Sequence, residues 1–139
     1  MMSPLATTPV FANAAGTLAL HPAGYLRLGF TPGTWQATEL AGLLMQGEAI
    51  LLTHGWHLVL IDARQLHVFT PEVMHWLRNE WLMRGQTQPP DIIKAVVMPT
   101  SPEACAAIGL LRSHAPTLTR YSYFASEAAA HDYLLALLA

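Results

Sequence analysis

Apolar runs and helically spaced stretches alternate along this chain, and the alternation predicts its elements. Thr17–His21 and Tyr25–Phe30 are strand-like runs on either side of Pro22-Ala23-Gly24, a connection short enough to make them an antiparallel pair. From Thr34 to about His54, Leu40, Leu43, Leu44, Ile50 and Leu51 recur on one helical face, and Gly55 stands where a C-terminal cap belongs. Trp56–Ile61, closing on Asp62, is apolar without clear alternation, the pattern of a strand buried on both faces of a parallel sheet. A second helix is predicted from Thr70 to about Arg84 with Gly85 as its stop, then a polar loop, Gln86–Pro90, and another buried strand, Ile92–Met98. A third helix from Ser101 to about Ser113, a last strand at Leu118–Phe124 and a terminal helix from Ser126 to Leu138 complete the series.

The junctions reinforce this reading. Thr31-Pro32-Gly33, Thr70-Pro71-Glu72 and Ser101-Pro102-Glu103 each place a hydroxyl residue and a proline ahead of a helical stretch. The hydroxyl can accept a hydrogen bond from the first helical turn, and proline loses nothing there because its missing N–H would have had no partner. The glutamates of the last two junctions add a favourable charge at the positive end of the helix dipole. The predicted order β-β-α-β-α-β-α-β-α is an α/β fold, a mixed five-stranded sheet with right-handed crossovers covered by four helices. Residues 1–15, rich in Thr, Pro and Ala and without a period, are expected as a flexible N-terminal arm ahead of a single domain at residues 16–139.

Composition narrows the class of partner. The chain is 139 residues long, 53% hydrophobic and only 12% charged. About 25% charged is usual, so much of the surface must be uncharged, which argues against disorder and for a partner or self-association surface. The basic residues are scattered from Arg27 to Arg120 with Lys94 the sole lysine, and the net charge is −2. No basic stripe exists to release counterions from phosphates, so nucleic acid is not an expected partner. Cys105 is alone, so neither an internal disulfide nor a thiolate cluster can form. The start lacks a basic region followed by a long apolar one, and Ala49–Ile61, the most apolar internal stretch, is too short and too interrupted for the roughly 20 apolar residues of a membrane span. A soluble, cytoplasmic protein is expected.

The strand Leu58-Val59-Leu60-Ile61-Asp62, the connection Ala63-Arg64-Gln65-Leu66-His67-Val68-Phe69 and the helix opening Thr70-Pro71-Glu72, followed by Trp76-Leu77, Trp81-Leu82 and Ala95-Val96-Val97-Met98, carry a family likeness. From about Thr17 onward the chain resembles the SpoIIAA-like fold of STAS domains, the anti-sigma-factor antagonists, and more closely the small bacterial stand-alone STAS-like or CRAL-TRIO-like proteins. The resemblance implies a scaffold for binding a protein partner or a ligand. The phosphorylation-controlled activity of that family needs an Asp-Ser-Ser-Gly-Leu type sequence at the second helix. Phe69-Thr70-Pro71-Glu72-Val73 stands there instead, without the phosphoacceptor serine, and Thr70 is sufficiently explained as a helix cap.

Residues able to carry chemistry do not combine into a recognisable site. His54 and His57 have a spacing that would share a helical face, but Gly55 is expected to end the helix between them and no third ligand is near. The seven histidines are dispersed, and nothing in their spacing predicts a cluster. No Gly-x-Ser-x-Gly elbow and no glycine-rich phosphate loop follows a strand. Cys105 is expected to lie on the apolar side of the third helix, and Asp62 to bond the loop that follows its strand. The second helix stands out: Val73, Met74, Trp76, Leu77, Trp81, Leu82 and Met83 make it apolar around most of its circumference, so it needs cover on more than one side. At 3.6 residues per turn Trp76 and Trp81 should point about 140° apart. These features predict a non-enzymatic regulatory or protein-interaction module, homodimeric or docked to a protein partner, without metal or cofactor. Thr70, Met74, Trp76 and Trp81 are its candidate binding residues. The alternative is a carrier of a small apolar, lipid-like molecule, with a pocket beside the second helix.

Overall fold

The computed structural model describes residues 3–66, 69–81, 92–114 and 121–138. A mixed six-stranded sheet runs through them: β1 (Thr8–Ala12), β2 (Gly16–His21), β3 (Tyr25–Phe30), β4 (Leu58–Asp62), β5 (Ile93–Val97) and β6 (Tyr121–Phe124), lying side by side in chain order. β1, β2 and β3 pair antiparallel, and β3 to β6 pair parallel. The helices are α1 (Ala37–His54), α2 (Pro71–Trp76), α3 (Pro102–His114) and α4 (Glu127–Leu138). α2 continues as a π-helical turn over Leu77–Trp81. The α/β class, mixed sheet and helix count match the expectation. Among the described residues the sheet has six strands rather than five. The expected end of the second helix at Arg84–Gly85, the Gln86–Pro90 loop, His67, Leu82 and Met83, and Leu118–Arg120 of the last strand lie outside them.

The additional strand comes from the region expected to be an arm. Thr8–Ala12 pairs with Thr17–Leu20, its register shifting between Pro9 and Phe11. An edge strand is bonded on one side only, so Pro9 is tolerated there, and little burial is needed to hold it. Asn13 makes the turn: its Oδ1 accepts from the N–H groups of Ala15 (2.9 Å) and Gly16 (3.3 Å), and its Nδ2 donates to the carbonyl of Glu39 in α1 at 2.8 Å. An asparagine that closes a turn with its own side chain gives no hydrophobic periodicity, which is why this hairpin does not appear in the pattern.

Most of the predicted caps form. The hydroxyls of Thr70, Ser101 and Ser126 accept hydrogen bonds from the N–H groups of Val73, Ala104 and Ala129 at 3.2–3.3 Å. Gly55 closes α1 in the left-handed conformation, φ 65°. Thr31 is the exception, because α1 begins at Ala37 and the carboxylate of Glu39 reaches back to the Gln36 N–H at 2.9 Å. Thr31 instead donates its backbone N–H to Ala15.

β3, β4, β5 and β6 step across the sheet in one direction, so crossovers of one hand place α1, α2 and α3 on one face. That face holds the larger core, including Leu18, Leu26, Leu28, Leu40, Leu43, Val59, Val73, Leu77, Trp81, Val96, Ala104 and Leu111. α4 follows the last strand and folds back over the opposite face. There Ala130 and Leu134 pack against Tyr25, Leu58, Leu60, Ala95 and Val97.

Candidate functional site

The two faces carry different chemistry. Beneath α1, α2 and α3 the apolar layers do not close. A cavity of about 110 Å³ is lined by Leu40 and Leu44 of α1, Leu77 and Trp81 of the π turn, Ile108 and Leu111 of α3, and Ile61, Val96 and Tyr123 of the sheet, with Ala63, Leu66 and Phe69 from the β4–α2 connection. A second void of about 50 Å³ shares the walls Leu44, Ile61, Trp81 and Tyr121, and adds Glu48 and Lys94. Lys94 lies on this face of β5, half-buried. Its Nζ sits 4.8 Å from the centre of the Tyr121 ring and 6.0 Å from that of Trp81, and donates to the Tyr121 hydroxyl at 3.1 Å.

The π turn builds this wall. Trp76 and Trp81 stack, centroids 5.9 Å apart and planes at 24°, instead of diverging as expected. The wider turn takes more residues per revolution, so positions five apart return to nearly the same side. Trp81 and Leu77 are buried and Trp76 and Met74 half-buried against the core. The outward residues Glu72, His75, Arg78, Asn79 and Glu80 are polar. The candidate residues therefore separate by role: Trp81 lines the voids, Trp76 backs it, Met74 packs beside them, and Thr70 caps the helix.

Across the sheet lies a charge network. Asp62, at the C-terminal end of β4, and Glu127, the first residue of α4, are 7% and 6% exposed. Arg27 of β3 bonds both, to Asp62 Oδ2 at 2.6 Å and to Glu127 Oε2 at 2.8 Å. Arg64 of the following loop does the same, at 2.8 Å to Asp62 Oδ2 and 2.7 Å to Glu127 Oε1, and its backbone N–H donates to Asp62 Oδ1 at 3.1 Å. The expected bond from Asp62 to its own loop is thus present, within a larger assembly. Burial pushes the Asp62 carboxyl up, but the hydrogen bonds from Arg64 and the charges of both arginines outweigh it and hold the group below its ordinary value. The hydrogen bond to Glu127 holds Arg27 still more firmly protonated. Two cations balance two anions, and no buried side-chain polar atom among the described residues lacks a partner. This network ties β3, β4 and α4 together and offers no unsatisfied group to a substrate.

Beside it the fold gathers an aromatic cluster that spacing did not predict. His21 stacks on Tyr25 at 4.4 Å and lies 5.0 Å from His131, whose Nδ1 is 2.8 Å from the Tyr25 hydroxyl. The Ala23 N–H donates to His21 Nδ1, so Nε2 carries the proton and donates to the Ser3 carbonyl at 2.8 Å. Burial first, then the nearby Glu127 charge, pushes the Tyr25 phenol up to about 12 against a smaller opposing effect of Arg27.

The remaining candidates sit apart from one another. His54 packs on Trp56 at 4.7 Å past the left-handed Gly55, which parts it from His57. Cys105 donates its thiol to the Pro99 carbonyl at 3.2 Å. Among the described residues no group of three or more His, Cys, Asp or Glu side chains could hold a metal ion, and no helix is long and apolar enough to cross a membrane. Comparison with protein-family models, with curated proteins and with solved structures finds no match to this chain.

Proposed function

We propose that this protein is a non-enzymatic binding module that takes a small apolar molecule into the cavity between its sheet and the layer formed by α1, α2 and α3. The carrying observation is the cavity itself: about 110 Å³ of space walled by aliphatic and aromatic side chains from three helical segments and four strands, Phe30 of β3 among them. Apolar walls offer water no hydrogen-bond partners and here lack part of their dispersion contacts, so an apolar guest restores some of what the core forgoes. An engineered cavity of about 150 Å³ with similar walls takes up benzene, which sets the size of guest at one ring or a short branched chain, well below a fatty acid. The orientation of α2 and its π turn favours this over docking of a protein on the same helix. The apolar residues of that segment turn inward and its outward residues are polar. The resemblance to stand-alone STAS-like domains, and the absence of the phosphoacceptor serine, agree with a binding role that does not use the family's phosphoswitch.

Fluorobenzene followed by fluorine NMR tests the proposal. Saturable binding at one site is expected, with Trp fluorescence changing in step because Trp81 is part of the wall. Ala63→Leu, which fills the cavity from its floor, should abolish both signals while the circular dichroism spectrum is kept. Absence of saturable binding to the unmodified protein overturns it.

A further inference from the structure

Phe30, Phe69, Trp81, Tyr121 and Tyr123 all line the larger cavity, and each of them rests on another ring. Phe30 stacks on Trp35 at 5.8 Å, and Phe69 meets the same indole edge-on at 6.4 Å. Tyr121 and Tyr123 stack on each other at 6.4 Å, and Trp81 stacks on Trp76 at 5.9 Å. Resting on the binding role above, we propose that the guest is an uncharged single aromatic ring, selected over aliphatic molecules of its size by contacts with these wall rings.

The sheet explains how the rings come to surround a space. Ile61, Val96 and Tyr123 form one row across β4, β5 and β6, and all three face the cavity. At the other margin Phe30 ends β3, two positions past Leu28, which pairs with Ile61. Neighbouring strands are about 4.8 Å apart, so the strands carrying Phe30 and Tyr123 lie roughly 14 Å from each other. The floor between them is aliphatic and the margins are aromatic. A guest ring seated midway is about 7 Å from either strand, a distance over which ring pairs attract. Such pairs set the negative face of one ring against the positive edge of another, a gain beyond buried area that an aliphatic guest cannot collect. The wall rings are also held in place. Trp35 is buried and its indole N–H donates to the Thr31 carbonyl at 3.2 Å, which fixes the plane on which Phe30 and Phe69 rest. Rings backed in this way lose packing if they turn inward, so they resist closing the space and are preorganised for a guest. At about 110 Å³ the space is smaller than the engineered benzene site, which favours a flat ring over a puckered or branched body. No charged side chain belongs to the lining, so a charge on the ring would be left without a partner.

The test compares fluorobenzene with fluorocyclopentane, a ring of similar volume, on the unmodified protein by fluorine NMR. Fluorobenzene is expected to bind at least about fivefold tighter, the equivalent of one favourable ring pair. Phe30→Leu combined with Phe69→Leu keeps the lining apolar but removes two wall rings. It should cut that preference at least about twofold while fluorocyclopentane still binds, which also shows that the variant is folded. Equal affinities on the unmodified protein, a preference for fluorocyclopentane, or a preference that survives unchanged in the variant overturns the aromatic assignment while fluorobenzene still binds. Failure of fluorobenzene itself overturns the cavity reading beneath it.

Discussion

The two faces of the sheet are built on opposite solutions to the same problem. On the α1–α2–α3 side, three helices cover the strands with aliphatic and aromatic side chains, and the fit leaves space. On the α4 side, one helix covers fewer strands, and its packing includes two carboxylates, two guanidinium groups, two imidazoles and a phenol with their hydrogen bonds met. Dispersion contacts are non-directional and individually weak, so a face made from them can lack a few and remain folded. A buried ion network has no such latitude, since one missing member leaves another charged and unpaired. The first face can therefore leave space unfilled, and the second holds the frame around it.

The sharpest way to break this contrast is to remove one ion. Glu127→Ala leaves both arginines facing Asp62 alone; the carboxylates are buried but Arg64 is 42% exposed and can turn to water, so a loss of about 2–3 kcal/mol in unfolding free energy by urea denaturation is expected. A loss under about 1 kcal/mol would show that the α4 face is no more demanding than its opposite. A second effect appears in alkali. The Tyr25 phenol titrates near 12 in the folded chain and near 10 when unfolded, so its neutral form is favoured by folding. Its contribution is complete below about pH 10 and is lost as pH rises through 12, amounting to roughly 2–3 kcal/mol. Tyr25→Phe should flatten that alkaline limb, at the expense of the bond to His131. The smallest effects come from adding the same two methyl groups to each face. Ala95→Val, in the tight cluster under α4, should cost about 1–3 kcal/mol through overpacking. Ala63→Val, at the cavity, should change stability by less than about 1 kcal/mol in either direction, because the new atoms enter open space. Equal costs at the two alanines would remove the distinction between the faces.

The sequence announced the frame better than the site. Thr70, Ser101 and Ser126 could be read as caps because capping is a local affair of three or four residues, and Gly55 because only a left-handed residue ends a helix in that way. β1 was hidden because an edge strand closed by an asparagine turn needs neither alternation nor a Gly-rich hairpin. The pairing of Trp76 with Trp81 is not legible because regular α-helical spacing parts them and nothing in the sequence marks the π turn that brings them together. Arg27 meets Glu127 across 100 positions and Tyr25 meets His131 across 106, so neither cluster could be read from spacing. A signal did exist in Tyr25–Phe30, where an arginine interrupts an otherwise apolar strand, and at Asp62, which closes another. Charges at such places need partners from elsewhere in the fold. The cavity left no sequence signal, since it is a shortfall in the sum of side-chain volumes across seven elements and a connection.

The order of the strands, each beside its predecessor in the chain, has a consequence for how such a molecule can be assembled and altered. Every unit of strand plus helix finds its neighbour already in place, so the sheet can grow outward from the β2–β3 hairpin as a row, each step closing one crossover onto the strand before it. Nothing has to be threaded between strands already joined. For the same reason either margin of the row can be lengthened, shortened or exchanged without parting the middle, where Lys94, Asp62 and Arg27 stand, much as a sentence can gain or lose a final clause and keep its verb.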